Sequence, residues 1–178
     1  FSSENASASV RALPGEGAEI PFYILGSSID SAFLAAKLGR PYAFAGHFAP
    51  AQFFTALDIY RENFKPSEHL EKPYVMLCAN FILADTDEEA HFLSRSMYQA
   101  FANIVSEECD LENLSEQQYA MLKNMTAFTF IGNQEPVRTK INDFIAETQI
   151  DELIVSSNIF DHDKKLKSYA LTAEIFQS

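Results

Sequence analysis

The chain has 178 residues, and 47% of them are hydrophobic, which is ample for the core of a single domain. Its 25 acidic residues outnumber 13 basic ones and leave a formal net charge of −12, so nucleic acid and anionic membrane surfaces are not expected partners. Two cysteines, Cys78 and Cys109, predict neither a disulfide framework nor a metal site, and they favour a reducing, cytoplasmic setting.

Residues 1–19 are rich in Ser, Ala, Gly and Glu and are predicted to form a loop. The sequence contains no signal peptide and no apolar run of membrane-spanning length. It opens on Phe1 rather than Met, as expected of a chain that begins in the middle of a longer one.

A β-α-β unit opens the regular structure. Phe22–Leu25 is an unbroken apolar run, which predicts a strand buried on both faces in a parallel sheet. A helix follows, with Asp30 or Ser31 as its predicted cap and with Gly39 at its end. Tyr42–Ala45 is the second predicted strand.

The turn between this strand and helix is the first candidate site. Gly26, Ser27 and Ser28 are small residues that let the backbone come close to a ligand, and Ser31 follows in the first helical turn. Orphan amides and the helix dipole favour an anion at such a place. The alternative is that the serines serve only the turn and the cap.

Further elements follow in the same alternation. Pro50 starts a helix, and Tyr74–Leu83 is the longest predicted strand, with Asn80 as its only strongly polar member. Phe128–Ile131 is either a short strand or an extended loop, and Leu153–Val155 is the fourth clear strand. The remaining predicted helices have their caps at Thr86, Ser115, Asn133 and Asp161. In the last helix, the predicted buried side chains are Leu166, Ala170 and Ala173.

Strands that alternate with helices predict parallel β/α units in an α/β fold. A complete (β/α)₈ TIM barrel takes about 250 residues, so four units in residues 1–178 correspond to half of one. A small, open, doubly wound sheet is the alternative. Residues 107–129 form an insertion before the last strand, which is either a substrate-facing lid, an interface or plain scaffold.

Several stretches, taken in order, resemble the C-terminal half of the bacterial luciferase-like flavin monooxygenases. They run from about Val10 to the C-terminus, and their order and spacing carry the signal. The stretches are Ile24-Leu25-Gly26-Ser27-Ser28, Ser31-Ala32, Leu34-Ala35-Ala36-Lys37-Leu38-Gly39, Pro41-Tyr42-Ala43-Phe44-Ala45-Gly46-His47-Phe48, Ala84-Asp85-Thr86-Asp87-Glu88-Glu89-Ala90, Ile131-Gly132-Asn133-Gln134-Glu135-Pro136-Val137 and Asp151-Glu152-Leu153-Ile154-Val155.

The resemblance implies strands five to eight of a TIM barrel that binds reduced FMN and activates O₂ to oxidise a small organic substrate. A flavin reductase would then supply the reduced FMN. The family's phosphate-contacting hydroxyls fall on Ser27, Ser28 and Ser31. Bacterial luciferase has an acidic residue in place of Ser27, which makes Ser28 the firmer assignment. The family's first-half residues, including active-site histidines, have no counterpart, so the chain alone is expected to be inactive.

Three further polar residues are candidates because they lie near strand ends. His47 follows the second predicted strand, where barrel enzymes place their sites, although a lone histidine is more often structural. Asn80 and Ser156 lie near the ends of two other strands. We predict that His47 and Asn80 line the catalytic pocket, and that no metal is bound.

The leading hypothesis is thus an FMN-dependent, alkanal monooxygenase-like oxidoreductase. The alternatives are a flavin-binding relative without monooxygenase activity and a protein-interaction chain with exposed sheet edges. The unpaired edges at Phe22–Leu25 and Leu153–Val155 predict a homo-oligomer or self-association of this chain.

Overall fold

A computed structural model of the chain describes residues 18–106 and 111–177. The strands are β1 (Ile24–Gly26), β2 (Tyr42–Phe44), β3 (Val75–Leu83), β4 (Thr129–Gly132) and β5 (Glu152–Ser156). The helices are α1 (Ile29–Leu38), α2 (Phe53–Asn63), α3 (Asp87–Val105), α4 (Glu116–Met125), α5 (Gln134–Thr148) and α6 (His162–Ile175). The predictions for Cys109 and for most of the opening loop lie outside the described residues. None of the described helices is long and apolar enough to cross a membrane.

All pairings in the five-stranded sheet are parallel, with β1 beside β2 and β2 beside β3. The long strand β3 pairs with β2 through Val75–Leu77, with β4 through Asn80–Leu83 and with β5 through Met76–Asn80. The β5 pairing overlaps both of the others, so β2 and β4 share the opposite edge of β3, one after the other. The predicted parallel β/α fold is confirmed, and it is consistent with part of a barrel.

The predicted ends of the four clear strands agree with the structure to within one or two residues. The structure also decides the segment that was predicted as either strand or loop. Phe128–Ile131, predicted as strand or loop, overlaps β4, which runs one residue further, to Gly132. This strand forms because Asn80–Leu83 offers a free edge of β3 beyond β2. The predicted insertion 107–129 holds α4, and its residues 107–110 lie outside the described chain.

The expectation that the first strand is buried on both faces is wrong in this structure. Leu25 is 71% exposed, whereas Ile24 packs against the core, because successive side chains of a strand point to opposite faces. The sheet face on the side of Leu25 is uncovered within residues 18–106 and 111–177 at this position. The neighbouring strand β2 is buried at all three positions.

Helices α1 and α2 cover the other face of β1 and β2. The buried stripe of α2 consists of Phe53, Leu57 and Tyr60. The Phe53 ring packs edge-on against Phe44 of β2, with 5.2 Å between ring centroids. Small alanines on α1 let it approach closely; the buried ones are Ala32, Ala35 and Ala36. This packing fixes the strand ends from which the candidate site is built.

Helix caps agree with the sequence predictions except at α1. Thr86, Ser115 and Asp161 cap their helices with side-chain hydrogen bonds, and Asn133 takes its cap position without one. The predicted α1 caps, Asp30 or Ser31, are wrong, because both residues lie inside the helix.

The predicted buried face of α6 is also wrong. Leu166, Ala170 and Ala173 are exposed, and the buried positions include Ser168 and Thr172. The Ser168 hydroxyl accepts the backbone N–H of Leu83 at 2.9 Å, and the Thr172 hydroxyl donates to the Ser168 carbonyl at 2.7 Å. Hydroxyls satisfied in this way can be buried at little cost, so apolar pattern alone selects the wrong face.

Candidate functional site at the carboxyl ends of β1 and β2

The turn between β1 and α1 is held by reciprocal hydrogen bonds between two serines. Ser28 is the helix cap: its backbone is extended, with φ −129° and ψ 161°, and its hydroxyl accepts the Ser31 N–H at 3.3 Å. The Ser31 hydroxyl accepts the Ser28 N–H at 3.3 Å and donates to the Ser28 carbonyl at 2.7 Å. The turn is therefore a capping box in which both residues are serine.

The side chain of Tyr42, on β2, contacts this turn through its hydroxyl. Its hydroxyl donates to the Ser28 carbonyl at 3.1 Å and lies 3.0 Å from the Ser31 hydroxyl. Tyr42 is only 1% exposed, and burial raises the pKa of its phenol, so the hydroxyl stays a neutral donor. Strand β2, which follows α1, thus stabilises the turn that precedes α1.

The three serines of the turn are not equivalent. The Ser31 hydroxyl is committed to internal partners, whereas the Ser28 hydroxyl donates only to Ser31 Oγ, at a long 3.3 Å. The Ser27 hydroxyl makes no hydrogen bond in the described part of the chain. Ser27 and Ser28 are half-buried, so both hydroxyls are accessible from solvent at the N-terminus of α1.

Gly26 is needed where the turn is tightest. A β-carbon at this position would overlap the Ser31 side chain. The glycine therefore makes room for Ser31, which is a more specific role than close approach of backbone to a ligand.

His47 lies in the loop after β2 and is fixed through its backbone. The side-chain amide of Asn80 donates to the His47 carbonyl at 2.6 Å, and Asn80 is 2% exposed. The half-buried imidazole packs edge-on against Phe48, and its Nδ1 is buried without a hydrogen-bond partner in residues 18–106 and 111–177. Burial lowers the pKa of His47, so the neutral imidazole is favoured.

The structure brings the serine turn and the His47 loop to adjacent strand ends. The Ala45 N–H donates to the Gly26 carbonyl at 2.9 Å, which ties the two loops together. Ser156, the third candidate, lies at the end of β5 as predicted, whereas Asn80 lies inside β3, because pairing with β4 extends that strand to Leu83. Asn80 is the register partner of Ser156, so β5 ends beside the same region. The carboxyl ends of parallel strands are where α/β proteins bind ligands.

Sequence reasoning missed Tyr42 and Gln52. Gln52 reaches across from the next β/α unit, and its Oε1 accepts the Ile29 N–H at 3.2 Å. Tyr42 had a usable signal, because a tyrosine within a fully buried strand must find a partner for its hydroxyl. No sequence feature predicts the role of Gln52, because polar residues are common at the exposed start of a helix.

Two sizeable clefts lie away from these residues. One, of about 940 Å³, opens at the amino ends of the strands and is lined by Phe22, Arg40 and Tyr74 among others. The other, of about 620 Å³, lies between α3 and α4 beside Tyr98 and Tyr119. The described residues contain no group of three or more His, Cys, Asp or Glu side chains placed to hold a metal ion.

The fold and this site define a parallel α/β protein with a hydroxyl-lined turn at a helix N-terminus. The family model for luciferase-like monooxygenases matches residues 2–152. The chain belongs to the luciferase-like monooxygenase family, as its sequence resemblance indicated.

Relatives and solved structures agree with this membership. The chain is 40% identical to "Luciferase-like monooxygenase" of Escherichia coli K12 over 98% of its own length and 55% of the relative's. It is 39% identical to the uncharacterised protein YvbT of Bacillus subtilis 168, over 99% of this chain and 55% of that one. The chain therefore spans about half the length of the curated relatives it matches.

Among solved structures, apo-MsnO8 superposes with a TM-score of 0.76 at 25% identity, over 98% of this chain and 56% of that one. The long-chain alkane monooxygenase LadA, at 15% identity, shares the fold with a TM-score of 0.62 over 88% of this chain and 41% of that one.

Proposed function

We propose that this chain forms the phosphate-binding side of an FMN-dependent monooxygenase that oxidises a small organic substrate with O₂ and reduced flavin. The observation that carries the proposal is the pair of available hydroxyls, on Ser27 and Ser28, at the N-terminus of the ten-residue helix α1. Hydroxyl donors and a helix N-terminus together suit a phosphate monoester.

The remaining residues of the turn fit that group. Ser31 keeps the turn in shape from inside, and Gly26 leaves room for Ser31. In this proposal Ser27 and Ser28 donate to the phosphate directly, and Ser31 supports them.

His47 and Asn80 are proposed to form the wall of the catalytic pocket. The neutral imidazole, with a buried and unpartnered Nδ1, is suited to accept or hold a proton near the flavin ring. Asn80 acts through His47, since its amide faces the His47 carbonyl. The bound flavin would supply the oxygen chemistry, and the protein would supply position and shelter from water.

Anaerobic titration of the whole protein with reduced FMN tests cofactor binding, with riboflavin as the comparison ligand. Tighter binding of FMN than of riboflavin supports the phosphate site, and equal binding contradicts it. Aldehyde-dependent oxygen uptake then tests monooxygenase activity. Flavin binding without substrate-dependent uptake would favour a flavin-binding relative, and no flavin binding at all would favour a protein-interaction role. A flavin reductase as the source of reduced FMN, and a cytoplasmic location, stay predictions.

We further propose that this chain associates through its sheet edges when it is produced alone. Within the described residues, β1 pairs only with β2, and β5 pairs only with β3. Both edges present apolar side chains, with Leu25 71% and Ile154 39% exposed. Light scattering on the 178-residue chain should show oligomers. A monodisperse monomer with micromolar affinity for FMN would refute this proposal.

A further inference from the structure

Tyr42 carries a buried hydroxyl that the proposed function does not yet use. Its aromatic ring is held by Phe44 at 6.1 Å and Tyr60 at 5.5 Å between centroids, so the packing alone would accept phenylalanine. The hydroxyl reaches out of this apolar cluster to the Ser28 carbonyl and the Ser31 hydroxyl. Its orientation toward the serine turn is thus specific.

The hydrogen-bond directions show what this hydroxyl does. The Ser28 carbonyl accepts from the Ala32 N–H at 3.2 Å, from the Ser31 hydroxyl at 2.7 Å and from Tyr42 at 3.1 Å. These three donors fix the orientation of the Ser28 carbonyl. The Ser31 hydroxyl that Tyr42 contacts is also the acceptor of the Ser28 hydroxyl, at 3.3 Å, so Tyr42 and Ser28 belong to one hydrogen-bond network.

We infer that Tyr42 is a positioning residue that sets the affinity of this site for the phosphate monoester of its flavin, acting through Ser31 and the Ser28 carbonyl. The inference rests on the proposed function. Without the Tyr42 hydroxyl, the Ser31 hydroxyl loses a partner and is free to turn, and the Ser28 carbonyl is held by fewer donors. The serine donors would then no longer be preorganised for the phosphate.

The test is Tyr42→Phe in the whole protein, measured as the dissociation constants of FMN and riboflavin. We expect the FMN constant to rise about five- to tenfold, the effect of one lost hydrogen bond. The riboflavin constant should change less than about twofold, because riboflavin has no phosphate to sense the turn.

Tyr60→Phe is the matched control. Tyr60 is also fully buried, and its hydroxyl donates to the Arg40 carbonyl at 2.9 Å, at the amino end of β2. This variant should lose stability and leave the ratio of the two dissociation constants unchanged. An equal change of the ratio in both variants would mean a general structural effect, and would overturn the inference.

Combining Tyr42→Phe with Ser31→Ala provides a second test of the same network. Both substitutions interrupt the same network, so their effects should not multiply. The FMN dissociation constant of the double variant should be at most about twice that of the weaker-binding single variant. Fully multiplicative effects would overturn the inference. A wild-type protein with no preference for FMN over riboflavin would overturn the proposed function and this inference together. A clear wild-type preference that survives Tyr42→Phe would overturn this inference alone.

Discussion

The side-chain amide of Asn80 donates a 2.6 Å hydrogen bond to the backbone carbonyl of His47, 33 residues earlier in the chain. The donor is 2% exposed and sits in the middle of β3, whereas the acceptor lies in the loop after β2. The bond therefore fixes a loop of the candidate site to the long, largely buried strand β3. Because the bond is short and its donor is buried, removing it should measurably affect the stability of the His47 loop.

Asn80→Ala should lower the free energy of unfolding by about 1–3 kcal/mol, because it leaves the His47 carbonyl without this partner in a buried setting. Urea denaturation measures the change. Asn63→Ala is the control, since Asn63 is exposed and its side-chain amide donates, among the described residues, only to the Ile59 carbonyl of its own helix, at 2.9 Å. An equal decrease in the free energy of unfolding of the two variants would show that the Asn80–His47 bond stabilises the fold no more than an exposed hydrogen bond does.

Ser28→Ala should weaken FMN binding by about 1–2 kcal/mol in the whole protein, through loss of a hydrogen bond to a charged phosphate. It should also cost about 1 kcal/mol of stability as a lost helix cap. Ser115→Ala separates the two effects, because Ser115 caps α4 with an equivalent capping box. The prediction fails if both variants lose stability and neither changes FMN affinity.

Gly26→Ala should destabilise the turn by about 1–3 kcal/mol, since the added methyl group overlaps the Ser31 side chain. Combining it with Ser31→Gly, which clears the space, should recover much of that loss. Thermal unfolding of the single and double variants measures the coupling. Additive effects would show that the glycine is needed for another reason, such as approach of a ligand.

The stability of the protein should depend on pH through His47. Burial lowers the pKa of His47 below its ordinary value of 6.5, so the folded state binds a proton less readily than the unfolded state does. The free energy of unfolding should therefore fall as the pH drops through 6.5, and His47 should contribute no pH dependence above that range. His47→Gln should flatten this part of the stability profile. An imidazole that titrates at or above its ordinary pKa in NMR spectra would contradict the prediction.

Much of the fold follows from local pattern, as the strands at β2 and β3 illustrate. Their apolar runs, which begin just after Pro41 and Pro73 respectively, predict strands buried in a parallel sheet. The exposed face of β1 could not be anticipated, because an apolar run carries no information about what covers it. In the same way, α6 buries Ser168 through a bond to a strand that is 85 residues away.

For the candidate site, the sequence likewise predicts which residues are involved but not how they contact one another. Turn chemistry and the family resemblance both predict Ser27, Ser28 and Ser31 as site residues. Their unequal roles depend on which hydroxyl donates to which acceptor, and only the contact with Tyr42 reveals that. A hydrogen bond between elements that are distant in sequence leaves no periodic pattern to detect.

The three pairings of β3 mean that this strand cannot detach locally. Exchange of its amide hydrogens between Met76 and Asn80 requires β2, β4 or β5 to separate as well, so the sheet opens as one cooperative unit. Because Asn80 belongs to that unit, opening of the sheet also removes the hydrogen bond that holds the His47 loop. Destabilising substitutions in β4 or β5 would therefore weaken binding of the proposed FMN by raising the population of the open sheet, without touching the candidate site.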